Sequence, residues 1–274
     1  MILIVKLSFL PQLYPLSLKR MLLNHKIYGE GGTPLFILHG LLGSLDNWHT
    51  LATKWGKEFM VVAVDQRNHG KSFHTSEMNY SAMAEDLSSL MEHLNIEKAN
   101  VLGHSMGGKT VMQFAVDFPH KLEKLIVADI SPREYPAHHD SIFEALMAVN
   151  PAELNTRGEA EDSLAKYIPE PGTRLFLMKN LDRQSDGSFV WKMNLPVLME
   201  KYDEVGKRIE IPIPLSNPTL FIGGGNSSYI SEEDELDISD QFTNVSFETI
   251  PNAGHWLHAE NPTMFYELVT NFLK

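Results

Sequence analysis

The chain has 274 residues, of which 43% are hydrophobic and 21% are charged, so it is long enough for one large folded domain or one domain with an insertion. Its net charge of -12 argues against a general binder of nucleic acid or anionic membrane, whose affinity depends on a basic surface. The absence of Cys excludes disulfides, a thiolate nucleophile and Cys-based zinc sites.

Residues 1–20 form an apolar stretch that Lys6 and Pro11 interrupt, so no run within it is long enough to span a bilayer. The stretch also has no clear secretory cleavage site. We expect a poorly ordered N-terminal extension on a cytoplasmic protein. A basic, acid-free leader of the organelle-targeting kind is the alternative.

From Met21 onward, short apolar runs alternate with helical stretches, as is typical of an α/β fold with helices on both faces of a mostly parallel sheet. The strands are predicted at 22–28, 34–38, 59–64, 99–102, 124–129, 219–222 and 245–250. The helices are predicted at 46–55, 83–94, 110–118, 231–242 and 262–273. Residues 131–216 break this rhythm with several prolines, so we predict an inserted, mainly helical cap on a core of 21–130 and 217–274.

A sharp turn is predicted at the end of the strand 99–102, where Gly103 and Gly107 flank Ser105 in the pattern G-x-S-x-G. Side chains at the two flanking positions would collide with neighbouring strands, and the turn lifts the serine hydroxyl above the sheet. The helix that follows begins at Met106, whose amide carries partial positive charge. This setting predicts that Ser105 is a nucleophile.

A serine hydroxyl needs a general base, and His255 is the candidate among twelve histidines because it follows the last predicted strand through a small-residue loop. The neighbouring His258 is interpreted as a packing or loop-fixing residue. His104 precedes the serine, so its side chain should point away from the reacting face and its role is expected to be local.

The third member should be a carboxylate that orients the imidazole. The loop after the strand 219–222, residues 223–228, contains none, and Glu232, Glu233 and Asp234 lie in the next helix, where we expect them to face solvent. Asp129 ends the preceding strand and comes before His255 in the chain. We therefore assign the acid to Asp129, against the alternative that it only caps a turn.

The oxyanion hole of such a site needs two backbone amides, one after the nucleophile and one in the loop after an early strand. Met106 and Leu41 occupy those places. No helix carries H-E-x-x-H, and 223–225 lacks the remaining residues of a phosphate-binding loop. We expect neither a metal nor another cofactor.

Four segments together resemble the α/β-hydrolase superfamily over the whole chain from Met21: 39–44, 65–72, 103–109 and 254–260. The short motifs at 43–48, 67–70, 104–109 and 224–227 are most similar to those of small bacterial YbfF-type esterases and their relatives in the abhydrolase-11 group. That resemblance implies hydrolysis of carboxylic esters and acyl-CoA thioesters, and an acid taken from the earlier strand, as at Asp129.

The expected partner is a small acyl ester or thioester, and the oligomeric state is left open. Apolar cap residues are candidates for an acyl pocket, although each is also a candidate for plain core: Phe143, Met147, Phe176, Met178, Trp191 and Leu195. Cations that could contact a CoA phosphate, if they are not simply solvated, are Arg133, His138, His139, Arg174, Lys179 and Arg183.

Other functions remain open on the same scaffold. A C-C bond hydrolase, a lyase or a cofactor-free perhydrolase would keep the same three residues. Epoxide hydrolases and dehalogenases would carry Asp at the position of Ser105. A non-catalytic ligand-binding protein would be expected to lack one of the three residues.

Overall fold

The computed structural model describes residues 21–136 and 139–274, so the predictions for 1–20 and for His138 lie outside the described residues. A seven-stranded sheet is built from β1 (His25–Tyr28), β2 (Leu35–Leu38), β3 (Val61–Val64), β4 (Ala99–His104), β5 (Leu122–Ala128), β8 (Thr219–Gly224) and β9 (Val245–Ile250). The spatial order is β1-β3-β2-β4-β5-β8-β9, and β1 alone runs antiparallel to its neighbour. The predicted α/β-hydrolase architecture is confirmed.

Helices cover both faces of this sheet. The core helices are α1 (His49–Trp55), α2 (Tyr80–His93), α3 (Met106–Asp117), α9 (Glu232–Gln241), α10 (Leu257–Glu260) and α11 (Pro262–Leu273). Alternate residues of a strand point to opposite faces. Phe36 and Leu38 therefore pack in the cluster that contains α2 and α3, whereas Leu35 and Ile37 pack in the one that contains α1 and α11.

Between β5 and β8 lies a mostly helical insertion. It contains α4 (Asp140–Met147), α5 (Arg157–Ala165), α6 (Pro171–Met178), a two-stranded antiparallel sheet of β6 (Leu181–Arg183) and β7 (Phe189–Trp191), α7 (Leu195–Glu200) and α8 (Tyr202–Gly206). The chain enters and leaves the insertion close to the start of α3. The Nζ of Lys109 in α3 donates to the carbonyl of Arg133 at the entry and to that of Gly206 at the exit.

Most element boundaries differ from the predicted ones by one to four residues, and two of these differences have a reason in the local contacts. Residues 22–24 are not in the first strand, because Asn24 bonds through its backbone and side chain to Ser72 and Asp65 in a loop instead of to a neighbouring strand. The first turn of the predicted helix 46–55 is a 3-10 helix at Leu45–Trp48, capped by Ser44.

The parallel register brings three strand ends together. His104 of β4 pairs with Ala128 of β5, and Ala128 pairs with Ile222 of β8. Ser105, Asp129 and the loop that follows β8 therefore lie side by side at the carboxyl edge of the sheet, where open α/β sheets bind their ligands.

Candidate active site

Ser105 occupies a backbone conformation that L-residues rarely adopt, with φ 55° and ψ −119°. Its amide donates to the Ala128 carbonyl at 3.0 Å. A Cβ at Gly103 would lie 2.1 Å from the Gly107 oxygen, and one at Gly107 would lie 2.5 Å from the Leu38 oxygen. The two glycines are therefore required sterically for a turn this tight, as the sequence indicated.

The three residues predicted as nucleophile, base and acid form one hydrogen-bonded chain. Ser105 Oγ lies 3.0 Å from His255 Nε2, and His255 Nδ1 lies 2.7 Å from Asp129 Oδ2. Because a carboxylate only accepts, Nδ1 donates to Asp129, which leaves Nε2 free to accept the serine proton. Asp129 is fully buried, whereas Ser105 and His255 are half-buried.

The loop that follows β8 contains no carboxylate and supplies hydrogen-bond donors to Asp129 instead. The Gly224 amide lies 2.9 Å from Asp129 Oδ1, and Ser227 Oγ lies 2.5 Å from Oδ2. Each donor stabilises the ionised carboxylate. Together with His255, these contacts hold Asp129 in place at its own positive φ of 51°.

One prediction about the neighbouring carboxylates was wrong. Asp234 does not face solvent but is buried, and it accepts hydrogen bonds from Ser131 at 3.0 Å and from Arg133 Nε at 2.9 Å. It also completes the capping box of α9 with Ser231. Asp234 is therefore engaged in a different network from His255.

Two aromatic side chains that sequence reasoning did not place in the site contact His255. The Tyr229 ring stacks on the imidazole with centroids 4.0 Å apart. His104, whose role was expected to be local, instead donates from Nε2 to the His255 carbonyl at 2.7 Å. Neither contact has a local sequence signal, because each depends on how distant loops fold over the sheet edge.

Behind this pair lies His258, whose ring stacks on Trp48 at 4.4 Å and packs against His104 at 4.6 Å. Its Nδ1 is buried without a hydrogen-bond partner among the described residues. Burial lowers the pKa of His258 to about 3 and that of His104 well below its ordinary value. Both rings are therefore neutral near pH 7, and the predicted packing role agrees with these contacts of His258.

The loop that carries Leu41 is held by two further buried histidines. His69 Nε2 accepts from the Leu42 amide at 3.2 Å, and His39 Nδ1 donates to the Gly40 carbonyl at 2.8 Å. Burial lowers the pKa of His39 to about 4 and that of His69 to about 3. The two neutral rings fix the backbone of the loop, which the sequence predicted as one half of an oxyanion hole.

Two cavities meet at the serine. The smaller, of about 280 Å³, extends from Ser105 toward Met106, Ile130 and Val205. The larger, of about 660 Å³, extends toward His255 and the helix α6 of the insertion. Leu41 and Ser105 belong to the walls of both cavities, so the predicted nucleophile and the Leu41 loop lie at the junction.

Of the apolar residues predicted for an acyl pocket, Phe176 lines the larger cavity. Phe143, Met178 and Leu195 are buried in the hydrophobic cluster that the insertion shares with the core, so their role is structural. The structure thus favours the plain-core alternative for these three residues.

The predicted phosphate-contacting cations are mostly engaged elsewhere. Arg133 pairs with Asp234, Arg174 donates to the carbonyls of Ile168 and Pro169, and Arg183 lies 3.4 Å from the Gly187 carbonyl. Lys179 lines the larger cavity.

Among residues 21–136 and 139–274, no group of three or more His, Asp or Glu side chains is arranged to hold a metal ion. No helix in the same ranges combines the length and apolar character needed to cross a membrane.

Comparison with known proteins identifies the family of this chain. The family with the alpha/beta hydrolase fold matches residues 33–162. Esterase YbfF of Escherichia coli is 38% identical over 245 residues, which cover 89% of this chain and 94% of that protein. The mouse protein named sn-1-specific diacylglycerol lipase ABHD11 is 38% identical over 272 residues, which cover 95% of this chain and 86% of that protein.

A solved structure described as a marine microorganism esterase superposes with a TM-score of 0.90 at 42% identity, covering 92% of this chain and 99% of that one. The long coverage and the shared architecture make the likeness one of whole chains rather than of a single motif. The chain therefore belongs to the α/β-hydrolase family, in the group of YbfF-type esterases and ABHD11 proteins, and is a hydrolase of the carboxylesterase type.

Proposed function

We propose that this protein hydrolyses carboxylic esters with Ser105 as nucleophile, His255 as general base and Asp129 as the orienting acid. The observation that carries the proposal is the hydrogen-bonded chain from Ser105 Oγ to His255 Nε2, at 3.0 Å, and from His255 Nδ1 to Asp129, at 2.7 Å. Such a chain activates a hydroxyl that is otherwise a poor nucleophile.

In the proposed reaction, Ser105 Oγ attacks the ester carbonyl carbon while its proton passes to His255 Nε2. The carbonyl oxygen becomes an oxyanion, which the amides of Leu41 and Met106 stabilise. His255 then gives the proton to the leaving alcohol, and the C–O bond to that alcohol breaks. Water, activated by the same histidine, attacks the acyl-enzyme and releases the carboxylic acid and free Ser105.

The insertion between β5 and β8 is proposed to act as the substrate-binding cap, in keeping with the predicted boundaries at 131–216. Its residues Ile142 and Phe176 line the larger cavity above Ser105, and Tyr202 and Val205 line the smaller one. The substrate is thus enclosed between the cap and the sheet. The reaction needs no cofactor, since each proton and electron pair moves among the three side chains, the ester and water.

Thioesters present the same carbonyl carbon to Ser105, but the site offers few cations for a CoA phosphate. Arg133 and Arg174 are engaged in other contacts, and Lys179 shares the wall of the larger cavity with Glu170 and Glu260. We therefore propose esters as the principal substrates and expect acyl-CoA to be hydrolysed more slowly. Relatives named diacylglycerol lipases make a glyceride a natural ester to include among the substrates tested.

The test is hydrolysis of p-nitrophenyl butyrate by the wild type beside Ser105→Ala, each shown to be folded by circular dichroism. The proposal is supported if the wild type hydrolyses the ester and the variant is at least about a thousandfold less active. Equal activity would show that Ser105 is not the nucleophile. A folded wild type that cleaves no ester would favour a C-C bond hydrolase or a binding protein. The predicted cytoplasmic location is tested separately by cell fractionation.

A further inference from the structure

The two cavities that meet at Ser105 differ in size and lining. The smaller has a volume of about 280 Å³ and the larger about 660 Å³. An ester bound at Ser105 has two substituents, the acyl chain and the alcohol, and each cavity can take one. Which substituent enters which cavity decides the substrate class of the enzyme.

The position of His255 sets the orientation of the bound ester. The proton that leaves Ser105 must pass from His255 Nε2 to the leaving alcohol, so that alcohol has to lie against the imidazole. His255 is part of the wall of the larger cavity. On the side of the smaller cavity, the imidazole face is covered by the stacked ring of Tyr229.

We infer that the alcohol of the ester occupies the larger cavity and the acyl chain occupies the smaller one. This inference rests on the proposed ester hydrolysis at Ser105. It assigns the enzyme to esters of short or medium-length acids with large apolar alcohols.

One wall of the smaller cavity is formed by Lys109 and held by its hydrogen bonds. Lys109 is buried, and its Nζ donates to three backbone carbonyls, those of Arg133 at 2.6 Å, Gly206 at 3.3 Å and Lys207. Arg133 lies where the chain enters the insertion, and Gly206 and Lys207 lie where it leaves. Lys109 therefore ties both connections to α3 and forms part of the cavity wall.

The volume sets the length of the acyl chain. The smaller cavity has about 280 Å³ and the larger about 660 Å³, so the smaller one has less than half the room of the larger. We therefore expect it to take the shorter of the two substituents of the ester. Longer chains would have to displace the wall that Lys109 holds.

The larger cavity suits an apolar, uncharged alcohol. Apolar side chains from the insertion and from the loop after His255 form much of its wall, including Ile142, Leu175, Phe176 and Trp256, and the last two rings lie 5.7 Å apart. Lys179 shares this wall with the carboxylates of Glu170 and Glu260. An anionic leaving group would therefore meet more negative than positive charge.

Two isomeric esters test the orientation directly. Dodecyl butyrate and butyl dodecanoate have the same composition and nearly the same hydrophobicity, and they differ in which side of the carbonyl carries the long chain. We expect kcat/KM for dodecyl butyrate to exceed that for butyl dodecanoate by about tenfold or more. Equal values, or the reverse order, would overturn the inference. Failure of both esters together with p-nitrophenyl butyrate would instead overturn the proposed function.

Two matched variants test which substituent of the ester each cavity holds. Val205→Phe narrows the smaller cavity, so it should lower kcat/KM for p-nitrophenyl octanoate relative to p-nitrophenyl acetate by about tenfold. The ratio of kcat/KM for dodecyl butyrate to that for ethyl butyrate should stay unchanged, because the two esters share one acyl chain. Ile142→Phe narrows the larger cavity, so it should lower kcat/KM for dodecyl butyrate relative to ethyl butyrate and leave the ratio of the octanoate to the acetate unchanged. If the two variants exchange these effects, the acyl chain lies in the larger cavity. Ratios within one variant are independent of any loss of folded protein.

Discussion

Ser227 donates a hydrogen bond from its hydroxyl to the buried carboxylate of Asp129, with 2.5 Å between the oxygens, although the two positions are 98 apart in the sequence. The carboxylate directly follows β5, and the loop after β8 holds it in place. The proposed acid therefore depends on a loop that contributes no charge of its own.

Ser227→Ala tests this dependence. The variant removes one donor from Asp129, and hydrogen bonds to charged groups contribute about 1.5 to 3 kcal/mol. We expect kcat/KM for p-nitrophenyl butyrate to fall by about ten- to a hundredfold, with the protein still folded. Ser227→Thr keeps the hydroxyl and should retain most activity. Full activity in Ser227→Ala would show that the Gly224 amide suffices to hold the carboxylate.

Asp129→Asn tests the acid assignment. The amide would no longer balance the imidazolium that forms on His255, and we expect a loss of roughly a thousandfold or more in kcat with little change in the circular dichroism spectrum. Asp234→Asn is the matched control, because it removes a buried carboxylate in α9 that accepts from Arg133 and not from His255. It should lower stability while most of kcat remains. Exchange of the two phenotypes would move the acid to Asp234.

His104 is expected to act as a positioning residue through the carbonyl of His255. His104→Phe leaves that carbonyl without its donor and should lower kcat by about tenfold with a smaller change in KM. A Gln side chain can place an N–H near the position of the imidazole Nε2, so His104→Gln should recover part of the loss. Equal activity of the Phe and Gln variants would show that the hydrogen bond does not position His255.

Buried neutral histidines should make the protein acid-sensitive. In the unfolded chain His258 takes up a proton near its ordinary pKa of 6.5, whereas in the folded protein its pKa is lowered to about 3. Between these values the unfolded state binds more protons, so the free energy of unfolding falls as the pH falls from about 6.5 toward 3, by up to roughly 1 kcal/mol per pH unit for this residue. Urea unfolding across this range measures the slope.

His258→Phe provides the comparison for that slope. Phenylalanine keeps a ring against Trp48 and has no group to protonate, so the free energy of unfolding should depend less steeply on pH between about 4 and 6 than in the wild type. Identical slopes in the two proteins would mean that His258 is protonated in the folded state or that other groups dominate.

Local patterns in the sequence were enough to predict several features. The strand at Val245–Ile250 and the helix at Pro262–Leu273 coincide with the predicted ranges, because alternation and amphipathic periodicity are properties of neighbouring residues. The turn at Ser105 was readable for the same reason, since Gly103 and Gly107 flank it directly. The α/β class followed from the order of these elements, and the resemblance of four motifs indicated the α/β-hydrolase fold. The roles of Ser105, His255 and Asp129 stay predictions until the variants are measured.

Contacts between groups far apart in the chain depend on how the strands and loops pack. His104 lies 151 residues from His255 and Ser227 lies 98 from Asp129, so no periodicity or motif links either pair. Their contacts follow from the register of β4, β5 and β8, which aligns the three strand ends, and from the loops that return over that edge. The buried position of Asp234 and the two unequal cavities arise in the same way. Local sequence patterns place a reactive residue at each turn, and the packing of the strands sets which of these residues come into contact.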